Sequence, residues 1–180
     1  NKEGSLLHRY RDGQAALTAN LDDYAFLIYG LLELYEDTFE VKYLKQTIKF
    51  NDYLTEHFTD KENGGFFFTA DNAEDLLARQ KDIYDGAIPS GNSVAMLNML
   101  RLARITGNTD LEDKAAAIGR AFSSIVKETP SNHTQLMCAV DFASGPSYEV
   151  LISGNLQEPD NAKLFQALKR VFVPGKVMIF

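Results

Sequence analysis

Cysteine is nearly absent from this sequence: Cys138 is the only one in 180 residues. It leaves no partner for a disulfide within the chain, no dithiol motif and no cysteine-rich metal site, so a reducing, cytoplasmic setting is expected. Histidine is scarce as well. His8, His57 and His133 lie far apart, without the one-turn spacing that puts two imidazoles on one metal ion. No metal and no cofactor is expected. Positive charge is thin: 18 Lys and Arg against 25 Asp and Glu leave a net charge of −7 and a pI near 4.9. That is the wrong sign for binding phosphate backbones, and nucleic acid is not expected as a partner. Long apolar runs are missing too. The stretch Phe26–Leu32 falls far short of the roughly 20 residues that span a bilayer, and no charged-then-apolar leader opens the chain. No membrane partner is expected.

What is present is amphipathic helix. Hydrophobic residues make up 45% and charged residues 24%, the composition of a globular chain with a real core. Residues 1–19 read as polar and irregular. Asn20 then stands as a helix cap, with apolar residues at Tyr24, Leu27, Ile28, Leu31, Leu34 and Tyr35 along one face of a helix to about Asp37. A second helix is predicted over Val41–Phe58, with Val41, Leu44, Ile48, Leu54 and Phe58 inward. The turn Asp60–Gly65 carries two glycines suited to positive φ, and Phe66–Thr69 reads as a strand or extended segment. After a charged, irregular stretch over 70–89, helices are predicted over about 91–105, 109–128 and 132–144. Strand, helix and strand follow at 148–152, 158–172 and 176–180, a pattern suited to parallel strands.

The first two helix pairs resemble each other. Leu32-x-Leu34-x-x-x-Thr38 matches Leu100-x-Leu102-x-x-x-Thr106 at an offset of 68 residues. Long-period repetition of two-helix units points to stacked hairpins that bury their faces against neighbours. The fold class expected is mainly α: part of an α/α-hairpin toroid over 1–145, an incomplete ring, with a strand-helix-strand segment over 146–180. The chain opens at Asn1 rather than Met, which reads as a trimmed piece of something longer.

Candidate chemistry rests on carboxylates. Asp82 and Asp85 lie three apart in a loop entering a helix, and with Asp23 they are the candidate acids and bases for work on a sugar or another polyhydroxy compound. Solvated loop aspartates that stabilise a helix start are the competing reading. Arg11, Asp12, Asp22, Tyr24, Ser90 and Asn92 are the candidate substrate-binding groups. Each also has a plain structural role available, capping for Ser90 and loop ties for Arg11 and Asp12. Cys138 reads as a small buried apolar residue. The stretch Pro89–Ser93 is neither a phosphate-binding loop nor a nucleophile elbow. A metal-dependent hydrolase would need ligand spacing that the sequence does not supply.

Three ordered strings carry a resemblance: His8–Gly13, Leu21–Ala25, and above all Lys81–Ala95 (KDIYDGAIPSGNSVA). With them the chain resembles the YyaL-type family, which includes the spermatogenesis-associated thioredoxin-domain proteins, over nearly its whole length. The resemblance implies a thioredoxin-like domain followed by a helical toroid similar to N-acylglucosamine 2-epimerase and the six-hairpin glycosidases. This chain would be a later part of that toroid, with the thioredoxin-like domain and the earlier toroid helices as its expected partners. Asp60–Phe68 resembles the Gly-Gly-aromatic loop of sugar epimerases. If the protein is an enzyme, an epimerase or glycosidase-like activity on a sugar-like molecule is implied. The alternative is a non-catalytic binding or interaction scaffold attached to a thioredoxin-like domain.

Overall fold

The computed structural model describes residues 5–73 and 77–180; residues 1–4 and 74–76, which belong to the two stretches read as irregular, lie outside it. The chain runs β1 (Leu7–Arg11), β2 (Gln14–Thr18), α1 (Leu21–Thr38), α2 (Val41–Phe58), α3 (Gly91–Thr106), α4 (Asp110–Glu128), α5 (Thr134–Ser144), β3 (Tyr148–Leu151), α6 (Pro159–Arg170) and β4 (Lys176–Ile179). The fold is mainly helical, as expected. Helix α1 pairs with α2 and α3 with α4, while α1, α3 and α5 pack side by side with α3 in the middle. The spread of apolar residues round each helix fits this order. Helix α3 is flanked on three sides and buries Val94, Ala95, Met96, Met99, Leu100, Leu102 and Ala103 all round its circumference.

The 68-residue repeat is real in three dimensions. The hydroxyls of Thr38 and Thr106 each donate to the carbonyl four residues back, at 2.6 and 2.7 Å. Each helix then ends in a left-handed residue, Phe39 (φ 54°) or Gly107 (φ 70°), whose amide also reaches back four residues. The two units differ where their neighbours differ. Leu102, in the flanked helix, is 1% exposed; its counterpart Leu34, on the outer helix, is 44% exposed. Two expected inward positions of α2, Val41 and Ile48, face outward, and Thr47 and Asn51 are buried in their place.

The N-terminal stretch departs from the sequence reading. Residues 7–18 form an antiparallel hairpin pairing Arg11 with Gln14 and Leu7 with Thr18. Asp12 and Gly13 both take positive φ, 50° and 78°, the tight turn for which Asp-Gly is suited. Phe66–Thr69 forms no strand; Phe66 makes a single bridge to Thr59. At the other end β3 and β4 are parallel, joined by α6. The buried Val177 and Met178 of β4 set this unit against the helices.

The starts of α1 and α3 meet at Gly91, where a β-carbon would fall 2.7 Å from Cγ of the fully buried Leu21 and 2.4 Å from the Asp22 carboxylate. Gly91→Ala is therefore expected to cost about 1–3 kcal/mol in urea denaturation, while Gly107→Ala, whose difficulty is backbone conformation alone, costs about 1 kcal/mol.

Candidate functional site

The loop that enters α3 is tied down at its buried polar groups. Asp85 is buried, and its carboxylate accepts three backbone N–H groups: Ser90 at 2.9 Å through one oxygen, Gln135 at 2.8 Å and Leu136 at 3.1 Å through the other. The last two are orphan donors of the first turn of α5, so Asp85 caps that helix from outside its own chain segment. The Asp85 amide donates to Asn132 at 2.8 Å, and buried His133 donates through Nδ1 to the Ile83 carbonyl at 2.8 Å. Ser90 caps α3, accepting from the Ser93 amide at 3.2 Å. Asn92 is fully buried: its oxygen accepts the Phe66 amide at 2.8 Å, and its nitrogen donates to the Phe66 and Asp82 carbonyls at 3.0 and 2.9 Å.

Other candidates lie nearby with looser ties. Asp82 is exposed, and one of its oxygens accepts the Tyr84 amide at 2.9 Å. Asp22 is half-buried against Gly91. Burial raises its carboxyl above the ordinary value, opposed by the Gly91 amide and reinforced by the charges of Asp82 and Asp23. Asp23 accepts the Asn20 amide at 2.8 Å as the acidic half of a capping box, and pairs with His8 Nδ1 at 2.9 Å. Tyr24 is a core residue, stacked on Tyr53 at 5.0 Å and accepting the Leu6 amide at 3.0 Å; burial holds its hydroxyl well above the usual phenol range. Arg11 and Asp12 sit exposed at the β1–β2 turn, in contact with each other at 3.3 Å. Asp22, Asp23, Asp82, Asp85, Ser90 and Asn92 are thus gathered around the starts of α1 and α3, and Arg11 and Asp12 are not tied to them by any hydrogen bond or ion pair among the described residues.

Two charged assemblies escaped the sequence reading. Buried Asp60 receives Lys81 Nζ at 2.6 Å and the Glu62 and Asn63 amides at 3.0 Å each; Lys81 above all holds its carboxyl far below the usual range. In the second, Arg101 on α3 pairs with Glu33 and with buried Glu36 of α1, both at 2.7 Å, and the other Glu36 oxygen accepts the Met178 amide at 3.1 Å. Glu33 and Arg101 occupy equivalent places in the repeat, each between its two leucines, so the 68-residue offset was the available signal. This assembly floors a cleft of about 570 Å³ between α1, α3, α5 and residues 169–178. Cys138, read as buried, is exposed on that cleft. No group of three metal-ligating side chains converges among the described residues, and no described helix is long and apolar enough to cross a membrane.

No family model matches the chain. Individual proteins do. The chain is similar to spermatogenesis-associated protein 20. The rat protein of that name is 36% identical over 160 residues, 88% of this chain and 20% of the relative, and the human protein matches to the same extent. An uncharacterized protein of Caenorhabditis elegans is 32% identical over 118 residues, covering 66% of this chain and 16% of that protein. The chain thus spans about a fifth of the length of these relatives. Their names attach no reaction to it.

Replacing Asp85 strips three amides of their acceptor, two of them buried. Asp85→Ala is expected to lower stability by about 3 kcal/mol in urea denaturation, whereas Asp82→Ala, at an exposed position, stays within about 0.5 kcal/mol. Asp22 gives the opposite sign. A carboxyl raised in the folded state destabilises that state once ionised, so folding stability falls as pH rises from the ordinary value of 3.8 through the raised one. Asp22→Asn should therefore raise the melting temperature at neutral pH, and the gain should disappear as pH falls to the ordinary carboxylate range.

Proposed function

We propose that this part of the protein is a binding scaffold of stacked helical hairpins within a larger α/α toroid, rather than the source of a catalytic carboxylate pair. The carrying observation is the commitment of Asp85: three backbone amides occupy a carboxylate that acid/base work would need to have free. Asn92 has likewise spent its whole amide on backbone. The flanked position of α3, with α1 and α5 beside it and α4 behind, supports the toroid reading. A thioredoxin-like domain and further helical hairpins are the partners proposed for it in the longer protein, and the lone cysteine supports a cytoplasmic setting.

One observation favours a second reading. Burial holds Asp22 towards its protonated form, reinforced by the charge of exposed Asp82, and a carboxyl kept protonated is what a proton donor acting on a sugar needs. The two readings separate in one assay: the whole protein is incubated with reducing sugars and simple glycosides in deuterium oxide, and proton exchange and bond cleavage are followed by NMR. The scaffold reading expects neither. Turnover lost in Asp22→Asn and in Asp82→Asn would overturn it in favour of acid/base catalysis.

A further inference from the structure

The cleft over Arg101 does not end at its charged floor. It shares Leu97, Cys138, Phe172 and Pro174 with a second cleft of about 520 Å³ that continues along α5 past Met137 and Phe142. Together they make one groove with two chemically different ends. Each part has the volume of a small-molecule site.

At the first end four cations, Arg101, Lys169, Arg170 and Lys176, stand against three acids, Glu33, Glu36 and Asp37, in a chain of net charge −7. Two of these cations are paired with acids, Arg101 with Glu33 and Glu36 and Lys169 with Asp37; the Lys176 ammonium donates to the Leu168 carbonyl at 2.7 Å, which satisfies a donor and leaves its charge without an acid. Arg170 has no ion pair or hydrogen bond among the described residues, and the side chains of Tyr29 and Gln135 on the same walls make no hydrogen bond there either. Arg170 and Lys176 thus line the cleft without a partner acid, beside two neutral groups with no hydrogen-bond partner among the described residues. The second end is mostly aliphatic and aromatic, with Thr134 and Asp141 as its polar side chains. Phe172, at the junction, is 90% exposed, and Met137 is 39% exposed, so apolar surface lies open where the polar groups stop.

We propose that this groove binds a small amphipathic anion, a carboxylate or phosphate head joined to a short apolar body. The head sits at Arg170, with Tyr29 and Gln135 to complete its hydrogen bonds, and the body runs over Leu97 and beneath Phe172 towards Phe142. A bare sugar leaves the second half of the groove unfilled, and a bare inorganic anion leaves Phe172 in water. None of the acidic-loop side chains lines the groove, which adjoins that loop where the Gln135 amide meets Asp85.

Cys138 lines both halves of the groove and is exposed, so its alkylation by iodoacetamide, followed by peptide mass spectrometry on the whole protein, reports occupancy. Octanoate and octyl phosphate, each below its micelle concentration, are the probes, with octanol and inorganic phosphate as controls. Saturable protection by at least one amphipathic anion is expected, the better of the two identifying the head group. Arg170→Gln, at an exposed position, should weaken that protection roughly ten- to hundredfold. Protection by octanol equal to that of the anions, protection indifferent to Arg170→Gln, or none from either anion overturns the proposal.

Discussion

Two helices start on one carboxylate. Asp85 joins the entry of α3 to the first turn of α5, and it does so from a loop whose Asp82 and Ile83 carbonyls are held by Asn92 and His133. A helix start leaves amides that must find acceptors, and here the acceptor comes from a distant stretch of chain. The spacing of α3 and α5 follows from it, and so does the course of the chain between the Gly64-Gly65 turn and α3, which Asn92 fastens at Phe66. Asp85 and Asn92, two of the residues that look most like an active site in sequence, hold the helix starts and the chain before them in place.

A second constraint acts further along α3. Arg101 is buried between two glutamates of α1, and Glu36 extends the link to the backbone of β4. Burial works against the guanidinium's charge, and the attraction of Glu36 and Glu33 outweighs it, holding its pKa above the ordinary value. Such a group gives little net stability over a well-packed apolar replacement, but it punishes any arrangement that separates its members. It thus fixes how the strand-helix-strand unit sits on the helices, and with that the shape of the groove between them.

Much of the fold was legible because the helices are strongly periodic. The bounds of α2 are those expected, Val41–Phe58, although its apolar spacing misplaced Val41 and Ile48, and the repeat of Leu32 and Leu100 pointed to two equivalent helices. What periodicity could not give was the neighbour on each face: Leu34 and Leu102 are alike in sequence and differ in burial because only one has a helix beside it. The hairpin at 7–18 was missed although Asp12-Gly13 announced its turn, because its strands are short and lack clean alternation. The acidic cluster was legible as a set of residues around one helix start. Which carboxylate is bound and which is strained was not, since that depends on amides at 135 and 136, far along the chain, and on the closeness of Gly91 to Asp22.

Hydrogen–deuterium exchange at single amides tests the central claim most directly. If Asp85 is the shared cap, the amides of Gln135 and Leu136, which lie in the first turn of α5 and would otherwise open to water, exchange as slowly as those in the middle of α3. Exchange of these two amides at the rate of a frayed helix end would contradict the account, and would return the Asp85 carboxylate to the list of groups free to act on a substrate.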